Sequence, residues 1–170
     1  TAIIKGNFMF LDKKDFMNLS INGIYEKLET RLVELFVKEG DIVIDVGANI
    51  GYYTLIFSKI VGTKGKVYAF EPDPEYYKLL EKNINFNNLK NVKIYKNAVS
   101  EKSKKDILYL DEKRLGGSTL YFDEKRNFKK VPIEIVSLND IFEDKNKRID
   151  FVKMDIEGIE FKAMRGMKKL

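Results

Sequence analysis

The sequence contains no cysteine and no histidine. The first absence excludes a disulfide framework, a thiolate metal site and a cysteine nucleophile. The second removes the side chain most often used as a general base near neutral pH. Any proton acceptor must then be a carboxylate, a tyrosine or a lysine, and a histidine-rich metal site is excluded. Long apolar runs are also lacking. DIVIDV and IEIVSL are far too short to span a bilayer, and no basic-then-apolar leader precedes them, so the expected location is cytoplasmic. Neither repeats nor low-complexity linkers occur. The net charge of +5 forms no stripe, because lysines alternate with glutamates, as on a solvated surface rather than a nucleic-acid-binding face. What remains is a chain of 170 residues, 44% hydrophobic and 34% charged, large enough for one domain with a real core.

Residues 2–11 alternate as a short hairpin with its turn near Gly6-Asn7. Residues 25–39 place Leu28, Leu32, Leu35 and Phe36 on one helical face, and Gly40 stops the helix. These 40 residues read as an N-terminal extension to a domain over 41–170. That domain begins with strand 42–46, helix 51–61, strand 66–70, helix 74–87 and strand 92–96, a pattern that predicts parallel strands joined by right-handed crossovers. Two more strands are expected in DILYL (106–110) and KVPIEIVSL (130–138), separated by a polar segment containing Gly116, Gly117 and Ser118. Beyond them come a short helix in LNDIFED, a strand over 149–155 and an amphipathic helix in IEFKAMRGMKK. The fold class is thus α/β, a Rossmann-like, doubly wound, mostly parallel sheet.

Ligands of such sheets bind at the carboxyl ends of the strands. The first strand carries Asp45 near its end and runs into a turn with Gly47, Ala48, Asn49 and Gly51. Glycine permits positive φ and a close backbone approach, and the next helix points free N–H groups toward a ligand. The spacing is neither the GxGxxG of a dinucleotide site nor the GxxxxGK[ST] of a phosphate loop, so a ligand without a pyrophosphate is indicated. Alone, the two glycines need mean no more than close helix–strand packing. The second strand, however, ends in Glu71, twenty positions after Gly51, where a carboxylate can grip a ribose diol. Pro72 and Pro74 stiffen the turn into the second helix. The third strand ends at Asn97, Ala98 and Ser100, a corner suited to an adenine edge, although such residues also simply form turns. Together these features describe a nucleoside site.

The segments VIDVGANIGYYTL, VYAFEPDPEYYKLLEKNI, NAVS and IDFVKMDIEGIEFKAMRGM closely resemble FkbM-type methyltransferases, a branch of the Rossmann-like class. The resemblance covers about residues 40–170, with a fainter echo in GIYEKLET. It implies a seven-stranded sheet, S-adenosylmethionine as methyl donor, and O-methylation of hydroxyls on sugars, glycans or small natural products. The donor-site candidates are Asp45, Gly47, Ala48, Asn49, Gly51, Tyr53, Glu71, Pro72, Asn97 and Ala98. Relative to that pattern three strands are expected beyond Leu170, so either the chain is a fragment or the open edge is covered by another copy of the chain.

An alcohol is a poor nucleophile, so a base or a metal ion should assist its methylation. Asp155 ends the fourth core strand on the same rim as Asp45 and Glu71, with Glu157 and Glu160 just beyond. Without histidine, Asp155 and Glu157 are the candidates for base or hydroxyl contact; all three carboxylates also suit a helix N-terminus, and as a group they could hold Mg²⁺. Tyr52 and Tyr53 could cover the donor's methionine portion or be core. Glu26 and Thr30 could reach its ammonium or carboxylate or simply face solvent. The loop at Gly116–Ser118 could close over the acceptor. Two other classes stay open. A nucleic-acid methyltransferase would carry an Asn/Asp-Pro-Pro-aromatic turn where this chain has DIEG, and a non-catalytic module would keep the fold without the chemistry.

Overall fold

The computed structural model describes residues 1–111, 118–124, 126–143, 148–156 and 158–170. The chain opens with β1 (Ala2–Ile4) and β2 (Asn7–Met9), then α1 (Leu19–Asn22) and α2 (Lys27–Phe36). The alternating heart is β3 (Ile42–Val46), α3 (Tyr52–Val61), β4 (Lys66–Phe70), α4 (Pro74–Phe86) and β5 (Val92–Tyr95). Then come β6 (Ala98–Val99), β7 (Lys104–Asp111), β8 (Ser118–Thr119), β9 (Phe128–Val136), α5 (Leu138–Ile141), β10 (Phe151–Met154) and α6 (Glu160–Arg165).

The central sheet has the order β10-β3-β4-β5, with every pair parallel. The chain builds outward from β3 to β5 and then returns to lay β10 on the other side of β3. Strand order therefore reverses between β3 and β10, which opens a crevice at their carboxyl ends. Alternate residues face opposite layers. Val43 and Val67 pack with α3, whereas Ile44, Val46, Tyr68 and Phe70 pack with Leu138, Phe142 and Ala163 of the α5 and α6 segments. With helices on both faces, the sheet is doubly wound.

α3 buries nearly its whole circumference: Tyr52 through Ser58 and Val61 are all buried. An apolar helix of this kind must be enclosed, and the enclosure comes from the sheet on one side and residues 2–37 on the other. Ile4, Met9, Leu19, Val33 and Val37 share its core cluster. The β1–β2 hairpin is latched to α4 by two asparagines one helical turn apart. Asn87 accepts from Phe8 N at 2.9 Å and donates to Phe8 O at 2.6 Å. Asn83 accepts from Phe10 N at 2.7 Å and donates to Phe10 O and Ile50 O. Two side-chain amides thus replace the backbone partner that an edge strand would otherwise lack.

The helix expectation changes in one respect. Leu28, Leu32, Leu35 and Phe36, the apolar face of α2, are exposed, at 67%, 44%, 61% and 61%. α2 meets the core through Thr30 and Val33 instead, because the Thr30 hydroxyl is drawn inward by Tyr25 O and Tyr52 OH. The two strands expected after residue 100 exist, but they do not extend the parallel sheet. β7 and β9 pair antiparallel from Lys104–Ile135 to Asp111–Phe128 in a second sheet of order β6-β9-β7-β8.

Candidate active site

The β3–α3 turn is built around one close approach. Gly47 has φ +78°, and a Cβ there would lie 2.0 Å from the carbonyl oxygen of Asp155 at the end of β10. No side chain fits, and the φ itself disfavours one. The N–H groups of Gly47 and Ala48 both donate to Phe70 O at 3.0 Å, which ties the turn to β4. Asn49 and Gly51 also have positive φ, 52° and 97°.

Glu71 completes this corner. Its carboxylate is buried, with 4% exposure, and accepts from Asn49 N and Asp73 N, each at 2.8 Å. Burial pushes its pKa up to about 7, although the Asp73 and Asn49 N–H groups pull it down. One bond to each oxygen leaves further lone pairs on both. Asp73 caps α4 by accepting from Glu75 N and Tyr76 N, and Pro74 occupies the first turn.

A cavity of about 260 Å³ lies over these groups. From β3, β4 and their turns it is lined by Val46, Gly47, Ala48, Asn49, Phe70, Glu71 and Pro72, and beyond β5 by Asn97 and by Ala98 at the start of β6. Tyr52 and Tyr53 contribute from α3, Lys153 and Asp155 from β10. Tyr53 donates to Glu26 at 2.9 Å and so holds that carboxylate at the cavity wall. Burial beside Glu26 pushes the Tyr25 hydroxyl up to about 12, so it stays protonated at neutral pH.

Of the donor-site candidates, Gly47, Ala48, Asn49, Tyr53, Glu71, Pro72, Asn97 and Ala98 come together on one cavity. Asp45 and Gly51 lie behind its wall. Asp45 is fully buried and accepts from the Thr54 hydroxyl at 2.6 Å; burial raises its pKa, against the opposing pull of Lys153 and Thr54. Gly51 faces Leu80, not the cavity. Thr30 is likewise buried, and Ser100 lies outside the cavity lining. Asp155 lines the cavity with a side chain 56% exposed. Glu160 turns back to accept from Gly158 N and Ile156 N, a capping role. Glu157, Gly116 and Gly117 lie outside the described residues. Among the described residues no three Asp or Glu side chains converge to hold a metal ion.

Sequence reasoning overlooked Lys153. Its Cα pairs with that of Asp45 across β10 and β3, and its ammonium lies 3.4 Å from Gly47 O, 3.7 Å from Asp155 Oδ2 and 3.9 Å from Asp45 Oδ1. The available signal was a charged residue inside an otherwise apolar core strand. The far wall was missed as well: Leu108, Ser118, Thr119 and Leu120 reach the cavity from the second sheet, and Phe16, Met17 and Tyr25 from the N-terminal region.

A doubly wound parallel sheet with a glycine turn, a strand-end carboxylate and no pyrophosphate loop is a Rossmann-like α/β arrangement with its crevice at the strand ends. Residues 45–170 match the model of the Methyltransferase FkbM domain, and the chain belongs to that family. It is similar to Methyltransferase 1 of Beauveria bassiana, 25% identical over 76% of this chain and 59% of the relative. It is also similar to Methyltransferase sdnD of Sordaria araneosa, 28% identical over 74% of this chain and 60% of the relative. The chain thus spans about three-fifths of these relatives' length. Among solved structures it resembles Methyltransferase FkbM from Methylobacillus flagellatus KT, with a TM-score of 0.49 and 20% identity over 74% of this chain and 28% of that one.

The methyl donor of this family is S-adenosylmethionine, and the residues present fit it. The buried Glu71 carboxylate would hold the ribose diol, Asn97 and Ala98 would meet the adenine edge, and Glu26 would pair with the donor's ammonium, all on one cavity. The donor supplies an electrophilic methyl group. No helix among the described residues is long and apolar enough to cross a membrane.

Proposed function

We propose that the whole protein is an S-adenosylmethionine-dependent O-methyltransferase acting on a hydroxyl of a sugar, glycan or small natural product. The observation that carries this reading is the placement of Asp155. Its half-exposed carboxylate shares one cavity with Glu71 but stands on the opposite side of Gly47, so donor and acceptor groups have separate anchors. Asp155 orients the acceptor hydroxyl and takes its proton, as a positioned carboxylate can. Glu157, two residues on, belongs to the same proposal as a second contact for the acceptor. The turn after β10 begins Asp155-Ile156 and lacks the Asn/Asp-Pro-Pro-aromatic sequence that would hold a nucleobase amino group, which favours a hydroxyl acceptor over a nucleic acid.

Calorimetry on this chain with S-adenosylmethionine, and with NAD as control, tests the donor half. Binding of the first without the second is expected, because no GxGxxG loop receives a pyrophosphate. The full-length protein, assayed with methyl-labelled donor against hydroxylated glycans and small molecules, tests the acceptor half. Label transferred to an amine or a nucleic acid, and to no hydroxyl, would overturn the acceptor class. Donor binding without transfer to any acceptor would make the protein a binding module.

A further inference from the structure

Lys153 is the single lysine or arginine among the described residues that line the cavity, which Glu26, Glu71 and Asp155 also line. Its side chain is only 16% exposed. The described contacts of its ammonium are all long: 3.4 Å to Gly47 O, 3.7 Å and 3.9 Å to the two aspartates, and 4.9 Å to the centre of the Tyr53 ring. An ammonium has three donors and prefers acceptors closer than these. One Asp45 oxygen beside it is buried without a hydrogen-bond partner. Lys153 is therefore positioned by surrounding charge and retains capacity for another acceptor.

We propose that Lys153 anchors the α-carboxylate of the bound donor's amino-acid tail. The inference rests on the S-adenosylmethionine reading above and assigns a residue to a part of the ligand for which the described lining offers no other cation. The donor carries two cationic groups, the sulfonium and the ammonium, and one anionic group, the carboxylate. Glu26 suits the ammonium. The carboxylate needs a cation or would stand uncompensated among three acids. Position agrees with charge. Glu71 ends β4 and Lys153 lies on β10, two strand spacings or about 10 Å apart in the sheet, with Gly47 of β3 between them. A ligand whose ribose is held by Glu71 crosses Gly47, where a side chain is barred, and brings its tail toward Lys153.

The test compares S-adenosylhomocysteine with 5′-methylthioadenosine, which keeps the adenosyl thioether and lacks the amino-acid group. Both are titrated calorimetrically into the wild-type chain and the Lys153→Met, Lys153→Arg and Asp45→Asn/Lys153→Met variants. Lys153→Met is expected to weaken S-adenosylhomocysteine roughly ten- to a hundredfold, the effect of losing a charged hydrogen bond. Methylthioadenosine is expected to be unaffected, and Lys153→Arg to recover most of the loss. The double variant removes the cation together with the acid it balances, so it carries the test if the single variant fails to fold; it should show the same selective loss. Equal losses for both ligands, or full S-adenosylhomocysteine affinity in a folded variant without the lysine, would overturn the assignment. Recovery in the double variant would overturn it too, by showing that Lys153 acts only to neutralise Asp45. A wild-type chain that binds neither ligand would overturn the donor reading itself.

Discussion

Replacing Glu71 by Gln probes the buried carboxylate proposed to hold the donor's ribose. Burial raises this carboxyl from 4.5 to about 7, the Asp73 and Asn49 N–H groups oppose the rise, and the charges of Asp73 and Asp45 add to it. A fold that raises an acid's pKa favours its protonated form. The stabilising contribution is complete below about pH 4.5 and is lost as pH climbs through about 7. At ~1.4 kcal/mol per pH unit, the ligand-free chain loses ~3 kcal/mol of stability across that window from this group. Asp45 and Asp73 are also raised by burial and act in the same direction. If ribose hydroxyls donate to ionised Glu71, as proposed, they offset part of the cost and donor affinity should rise with pH over the same range. Glu71→Gln cannot ionise and offers one acceptor oxygen, while its NH₂ opposes the N–H of Asn49 or Asp73. We expect affinity for S-adenosylhomocysteine to fall by about 1.5–3 kcal/mol at pH 8, roughly ten- to a hundredfold. Both pH dependences should flatten. Calorimetric titration and urea unfolding between about pH 5 and 8.5 read both quantities. Parallel pH profiles in wild type and variant would refute the assignment of this titration to Glu71. Undiminished affinity would refute its contact with the ribose.

Three other outcomes are expected from the geometry. In the full-length protein, Asp155→Asn should lower turnover by about 10²–10⁴-fold and leave donor affinity nearly unchanged; a parallel fall in both, read by kinetics and calorimetry, would move Asp155 to the donor site. Gly47→Ala drives a Cβ into Asp155 O at a φ of +78° and should cost about 2–4 kcal/mol in urea unfolding while abolishing donor binding; a stable variant that still binds would contradict the turn's geometry. Asn83→Ala leaves Phe10 N, Phe10 O and Ile50 O without their amide partner and should cost about 2–4 kcal/mol by the same measure; unchanged hydrogen-exchange rates in the β1–β2 hairpin of this variant would argue against the latch.

The local elements of this protein are written in short stretches of its sequence. Apolar runs bounded by glycine and proline place β3 and β4, and the run between asparagines places β5, to within a residue or two, because strand and helix periods act over a few neighbours. Gly47 and Glu71 are legible for the same reason: one sits where a turn demands positive φ, the other ends an apolar strand. Contacts between distant segments settled the rest. The apolar face of α2 gave no guide to its packing, because the contact was fixed by the Thr30 hydroxyl finding partners on Tyr25 and Tyr52. The division of the strands into two sheets, with Leu108 and Ser118–Leu120 brought to the cavity, depends on long-range pairings. Lys153 meets Asp45 only because β10 returns beside β3 in one register. A slip of one residue would turn that lysine to the other face of the sheet, and periodicity within a strand carries no information about register between strands.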